Sequence, residues 1–176
     1  MRYKHLLQEA RKHFDRYPEA AEGISSASFF EQGGRWMSIR LQELRGQQTQ
    51  QPDEVSSFSF YGWLKYGLCC AGTLPAAAAL YLIHPVVSIL SVVVFYCIEA
   101  GFLFLFPLLI DKRPAPLAGS IAMTHRVGFL NAVTNVIPIA LFMLSGLLNV
   151  RSPFFRWQLG CMAVLIWYIH ETRTRL

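Results

Sequence analysis

A long apolar stretch that contains a single charge constrains this chain more than any other feature. Between Tyr66 and Ile110 the only charged residue is Glu99. A helix of about 20 apolar residues is long enough to cross a bilayer, so this stretch has room for two crossings. His84 and Pro85 fall near its middle, where they predict a tight turn between two antiparallel helices. The stretch therefore favours an integral membrane protein.

Composition divides the chain into two parts with different solvents. Of the 176 residues, 53% are hydrophobic and only 15% are charged, whereas about 25% are charged in a typical soluble domain. Charged residues of both signs are concentrated in residues 1–57, where bases alternate with acids. We therefore predict a cytoplasmic amphipathic helical segment with a linker over 1–57 and a transmembrane domain over 58–176.

The transmembrane domain is predicted to be all-α, with four membrane-spanning helices. The predicted spans cover about residues 62–83, 86–110, 127–149 and 154–170. The segment between the second and third spans is polar, and its part from Leu117 to Arg126 is predicted to form a short interfacial helix. The fourth span is the shortest of the four, so its length gives the weakest support for a complete membrane crossing.

The basic residues near the predicted span ends indicate an orientation. Four spans place both termini on one side of the membrane, and that side carries Lys65, Lys112, Arg113, Arg126, Arg173 and Arg175. The other side carries only Arg151 and Arg156. Because cytoplasmic loops carry the excess of Lys and Arg, both termini are predicted to be cytoplasmic. Lys65 lies in a belt of aromatic residues, where its ammonium is expected to extend towards the interface. A failed fourth span would leave the C-terminus outside.

Two amphipathic helices are predicted before the linker, over residues 2–17 and 25–45. Pro18 ends the first, Gly46 follows the second, and Gly33 with Gly34 weakens the middle of the second. Residues 46–57 have the composition of a linker. So short a segment buries little core by itself. Its apolar faces are expected to contact a cytoplasmic partner, the membrane surface or another copy, or alternatively to pack on each other as an ordinary helix pair.

Glu99 is the centre of the predicted intramembrane polar site. Counting from Ile110 places it about 16 Å deep at 1.5 Å per residue, near the midplane of a hydrocarbon core about 30 Å thick. A carboxylate at that depth is costly unless it is protonated or faces polar groups. Asn131, Asn135 and Thr73 complete the predicted site, with Asn135 as the expected partner of Glu99. The carboxyl group either ties two helices together or takes up and releases a proton or cation.

Small residues in the first span predict close helix packing. They recur four positions apart, as Gly67 with Ala71 and Gly72 with Ala76. Such spacing lets two helix backbones approach closely in a membrane. The contact is expected either within the bundle or with another protein.

The function prediction rests on these features and on the motifs that the sequence lacks. No zinc, haem, nucleotide or hydrolase motif is recognised, so no metal, cofactor or catalytic residue is predicted. The net charge of +5 is assigned to membrane topology and lipid headgroups rather than to nucleic acid. The leading prediction is a non-enzymatic accessory or structural subunit of a larger membrane complex, which packs against other membrane subunits or itself. The alternatives are a small oligomeric transporter or channel that uses Glu99, and an enzyme that acts on lipid through His125, Asp111 and Glu171.

Overall fold

The computed structural model is helical throughout the residues that it describes, which are 2–16, 29–47, 57–146, 148 and 154–173. The helices are α1 (Tyr3–Arg16), α2 (Phe29–Leu44), α3 (Phe58–Ile83), a short 3-10 helix (Val87–Leu90), α4 (Ser91–Gly101), α5 (Leu105–Ile110), α6 (Pro116–Val127), α7 (Phe129–Gly146) and α8 (Phe155–Arg173). The all-helical class is confirmed for this part of the chain. The end of the first predicted helix, the start of the second and most of the linker lie outside the described residues.

Three stretches of the described chain are long and apolar enough to cross a membrane. They are α3, the stretch Val87–Ile110 and α7, and they correspond to the first three predicted spans. These stretches mark the chain as a membrane protein. The fourth predicted span corresponds to α8, which is not among them and which carries Arg156, Gln158 and Glu171.

The first two predicted spans form an antiparallel hairpin. His84 ends α3, and its ring nitrogen Nδ1 accepts a hydrogen bond from the backbone N–H of Val86 at 3.2 Å. Further along the hairpin α3 lies close against α4, because a Cβ atom at Gly72 would overlap the side chain of Ile98. The hairpin exposes a set of large apolar side chains: Leu74, Tyr81, Leu82, Ile83, Val86, Ile89, Leu90, Val92 and Val93. An apolar surface of this extent suits contact with acyl chains.

The second predicted span is interrupted rather than continuous, because the helix breaks after Gly101. Ser120 Oγ donates to the carbonyl oxygen of Gly101 at 3.0 Å and accepts from the N–H of Phe104 at 3.2 Å. Thr124 Oγ1 donates to the carbonyl oxygen of Ala100 at 2.9 Å. Both hydroxyl-bearing side chains are buried on α6. Backbone groups at membrane depth need such partners within the protein, so the helix expected at the interface packs on this break.

Helix α8 lies at the centre of the bundle, with α7 on one side and α1 and α2 packed against it as well. The apolar face of α1 is buried, and its Phe14 contacts the ring of Phe155 at a centroid distance of 5.7 Å and that of Trp36 at 6.1 Å. The chain therefore covers the apolar face of α1 with its own α8 and α2. This face therefore needs no partner protein or membrane surface to bury it. It also packs mainly on α8 rather than only on the neighbouring helix α2, as an isolated helix pair would.

A charged clasp joins the end of α2 to the membrane domain. The Arg45 guanidinium donates to both carboxylate oxygens of Asp111, at 2.7 and 2.8 Å. Tyr168 on α8 donates its hydroxyl to the same carboxylate at 2.6 Å. The hydrogen bonds to Asp111 raise the pKa of Arg45 above its ordinary value. Two-pronged pairing of this kind fixes orientation as well as distance, so it sets the position of α2 against α5 and α8.

The glycines of α2 have separate local roles. Gly46, at φ +70°, ends the helix: its N–H bonds the carbonyl oxygen of Glu43 at 2.9 Å, and the N–H of Gln47 bonds that of Gln42 at 3.1 Å. The helix continues through Gly33 and Gly34 without a break.

Gly33 and Gly34 form a matched pair for a stability test. A Cβ atom at Gly34 would lie 2.6 Å from the buried ring of Phe58, whereas one at Gly33 would meet nothing within 4 Å. We expect Gly34→Ala to lower stability by about 1–3 kcal/mol through overpacking. Gly33→Ala should raise it by about 0.5–1 kcal/mol, because alanine is the better helix former. Thermal unfolding in detergent checks both, and equal melting temperatures for the two variants would contradict this packing.

Candidate functional site

A buried ion pair between α3 and α4 is the centre of the site. The Lys65 ammonium nitrogen Nζ lies 3.1 Å from Glu99 Oε1, and the two side chains are 8% and 17% exposed. Lys65 stands seven residues into α3, about 10 Å along the helix. The expectation that Lys65 extends to the interface is therefore wrong, because its ammonium turns inward to the one acid of the hairpin.

The other polar residues predicted for this site do not join Glu99. Asn135 donates through Nδ2 to the carbonyl oxygen of Asn131 at 2.7 Å and to its Oδ1 at 2.9 Å, so its bonds stay within α7. The expected Glu99–Asn135 hydrogen bond is thus wrong. Thr73 is on α3 with a buried hydroxyl that has no hydrogen-bond partner. The amide pair on α7 satisfies itself, and Glu99 is neutralised by a cation instead.

Aromatic rings surround the ammonium of the ion pair. Lys65 Nζ lies 5.3 Å from the centroid of the Tyr66 ring and 5.5 Å from that of Phe106. A cation over an aromatic face gains electrostatic stabilisation, which increases as water is excluded. Phe106 is held in place by Phe58, whose ring stacks on it at 5.4 Å. The rings and the Glu99 carboxylate together offset the desolvation of the Lys65 ammonium.

A cavity of about 150 Å³ borders the ion pair. Its lining is mostly apolar and includes the aromatic side chains of Phe30, Trp36, Phe58, Tyr66, Phe106 and Trp157. Helix α2 supplies one wall through Gly33, Gly34 and Met37, while α7 and α8 supply others. Gln158 on α8 adds a buried amide. None of the lining residues is Asn131, Asn135 or Thr73, so Glu99 alone of the predicted polar set faces this space.

The predicted packing residues on α3 divide between two surfaces. Gly72 faces α4, where a Cβ atom would overlap the end of the Ile98 side chain. Ala76, four positions further on, is partly buried. Gly67 and Ala71 are exposed, and a Cβ atom at Gly67 would meet nothing within 4 Å. The second motif therefore contributes to the hairpin, while the first lies on the outside of the bundle.

The three residues considered for lipid chemistry, His125, Asp111 and Glu171, each contact other side chains. Asp111 is held by Arg45 and Tyr168. His125 stacks on Phe129 at a centroid distance of 6.5 Å, and Glu171 accepts the indole N–H of Trp167 at 3.2 Å. Within the described residues no group of three or more His, Cys, Asp or Glu side chains is placed to hold a metal ion. The geometry thus offers no assembled acid–base set at this surface.

The site is defined as a buried ion pair in the wall of an aromatic cavity within a helical membrane bundle. No family model, curated protein or solved structure matches the chain.

The ion pair makes a sharp prediction about charge removal. Lys65→Met leaves Glu99 buried without its cation, and breaking such a pair costs about 3–5 kcal/mol. The double variant Lys65→Met/Glu99→Leu removes both charges and should recover most of that loss. Lys12→Met, on the exposed face of α1, is the control and should melt like the wild type. Melting temperatures in detergent check the order, and a double variant no more stable than Lys65→Met would contradict it.

Proposed function

We propose that the protein is a non-enzymatic subunit of a larger membrane complex. In this proposal α8 is the fourth membrane-spanning helix, and both termini lie on the cytoplasmic side. The observation that carries the proposal is the difference between two outer surfaces of the bundle, one apolar and one charged.

The apolar surface suits lipid or another membrane helix. It includes the hairpin face of α3 and α4 already described, and α7 adds Leu130, Leu141 and Leu144. Gly67 and Ala71 lie exposed on the same hairpin, where small residues permit close approach of another helix. This surface has the character expected of a transmembrane subunit.

The charged surface is unsuited to lipid. It is the outward face of α1, where Lys4, Arg11, Lys12 and Arg16 are exposed. The opposite face of this helix packs on α8 and α7, and its Phe14 also contacts Trp36 of α2. A charged residue that contacts the hydrocarbon core costs at least about 2.5–3.5 kcal/mol. If α8 crosses the membrane, the helix beside it needs a polar neighbour, and a partner protein supplies one.

The pairing of α7 and α8 supports a return crossing. Arg156, near the start of α8, donates to Ser145 Oγ near the end of α7 at 2.7 Å. Gly160 lies against Met143 and Ile139, where α8 runs back along α7. Near the other end of α8, Tyr168 donates its hydroxyl to Asp111, which directly follows the second span. Helix α8 therefore ends on the side where the second span ends, and an even number of crossings suits the fold. Four crossings would place both ends on one side.

The complex is tested by reversing charges on the outward face of α1. We expect the wild-type chain, extracted from its native membrane in mild detergent, to migrate in an assembly heavier than one copy. Arg11→Glu with Lys12→Glu should reduce that assembly roughly tenfold, because like charges across an interface cost several kcal/mol. Native mass spectrometry measures the masses, and Arg113→Glu, an exposed charge between α5 and α6, is the matched control. A stable monomeric wild type without any bound protein would refute the proposal.

A second candidate function is transport, in which the chain acts as a small oligomeric transporter or channel. Its specific support is that the Glu99 carboxylate borders the cavity two residues before the break in the second span. Interrupted membrane helices often line ion and substrate sites in transporters. In this proposal Glu99 exchanges its partnership with Lys65 for a proton, a cation or a substrate during each cycle.

Transport is tested in liposomes with Glu99→Gln. If Glu99 couples transport, this isosteric change should reduce proton flux after a pH jump roughly tenfold or more, because the amide takes up no proton. A pH-sensitive dye inside the liposomes reports the flux. Asp15→Asn, on the exposed side of α1, should leave the flux unchanged. Equal flux in the wild type and Glu99→Gln would remove this candidate.

A further inference from the structure

We infer that the cavity beside the Lys65–Glu99 pair binds a neutral hydroxylated aromatic ring, the chemical class of phenol. The inference does not rest on the subunit proposal. It shares Glu99 with the transport candidate, but binding is measured without any flux, so the two fail separately.

The size of the cavity sets the first limit on the ligand. Its volume is about 150 Å³. An apolar cavity of about this volume in another protein stays dry and accepts benzene. The same volume in this bundle holds one six-membered ring with a small substituent.

The lining favours an aromatic ligand over an aliphatic one. Six of the lining side chains are aromatic, contributed by α2, α3, α5 and α8. Aromatic pairs in offset or edge-to-face contact are stabilised beyond the burial of their area. A bound ring would find such partners on several sides, including Phe30 on α2 and Trp157 on α8.

The charge of the wall requires a neutral ligand. Lys65 and Glu99 already neutralise each other at 3.1 Å. A charged ligand would add an unpaired charge to a mostly apolar enclosure, and such a charge is costly to bury. A neutral molecule leaves the pair intact and needs only to complete its hydrogen bonding.

A hydroxyl group is the complement that the pair lacks. The ammonium has three N–H donors and the carboxylate has about four acceptor positions, and their contact with each other uses one of each. Both side chains line the cavity. A hydroxyl accepts a hydrogen bond from Lys65 Nζ and donates one to Glu99. A carbonyl group can only accept from Lys65, and an aromatic amine mainly donates to Glu99. A phenol therefore combines the ring that fits the lining with the one group that serves both charges.

One wall of the cavity is α2, which supplies Phe30, Gly33 and Met37. Gly33 offers a clean means of filling the cavity, because a side chain there starts in open space. Ala140 on α7 lines the cavity from another side. Substitution of either residue by leucine fills part of the volume without touching the ion pair.

The experiment is a fluorine NMR titration of the full chain in lipid nanodiscs. The probes are para-fluorophenol and para-fluorotoluene, which differ in the hydroxyl group. We expect the wild type to bind the phenol roughly tenfold more tightly than the toluene, because the hydroxyl group makes hydrogen bonds to two charged side chains that a methyl group cannot make. Gly33→Leu should weaken phenol binding at least about tenfold, and Ala140→Leu is the second filling variant if the first is misfolded. Empty nanodiscs report simple partitioning.

The double variant Lys65→Met/Glu99→Leu separates ring recognition from hydroxyl recognition. It should bind both probes with equal affinity, since it keeps the aromatic lining and loses the polar pair. A hydroquinone with a decyl chain is titrated in the same way. If it binds more tightly than the free phenol, the ligand enters from the membrane, and if it binds less tightly, the ligand enters from water. The inference is overturned if the wild type binds neither probe above empty nanodiscs, if it binds both equally, or if folded filling variants bind the phenol like the wild type.

Discussion

The burial of both Lys65 and Glu99 is the constraint on which the arrangement of side chains around the cavity depends. Each charge alone would be costly at this depth, and together they are stable only at close range and with their remaining surfaces covered. Their 3.1 Å contact fixes the relative height of α3 and α4. Rings from Tyr66 and Phe106 then lie over the ammonium. Helices α2 and α8 supply further walls around the pair. The cavity is the space that these walls leave beside the pair.

Satisfaction of polar groups explains the second irregular feature, the break after Gly101. A straight helix would leave no free carbonyl oxygen there, whereas the broken one needs hydrogen-bond donors within the protein. Helix α6 supplies them through two hydroxyls, of which Ser120 serves both sides of the break and Thr124 the carbonyl oxygen of Ala100. The segment after the second span is therefore more than a connection. It carries the side chains that make a discontinuous span stable next to Glu99.

Composition and periodicity were sufficient to predict the helical class and the three most apolar spans, because both depend on local sequence. The stop at Gly46 followed from glycine's freedom at positive φ in the same way. The partner of Glu99 did not follow, because the aromatic belt around Lys65 predicted an ammonium that extends to the interface, whereas it turns inward. A better signal was present: Lys65 is the one base and Glu99 the one acid of the two-helix hairpin. The break after Gly101 and the cover over α1 depend on Ser120, Thr124 and α8, which are distant in sequence. Periodicity within one helix carries no information about such contacts.

Helix α2 links the polar third of the chain to the membrane site. Its one end is fixed by Arg45 to Asp111 and Tyr168, and its other end packs Phe30 against α3 at Gly62, where a Cβ atom would overlap the ring. Between these two anchors it forms a wall of the cavity with Gly33, Gly34 and Met37. A shift of α2 would therefore change the volume beside Glu99 and the contacts of α1 together. Helix α2 thus connects the charged helix α1 to the aromatic cavity, although the sequence predicts a cytoplasmic location for one and a membrane location for the other.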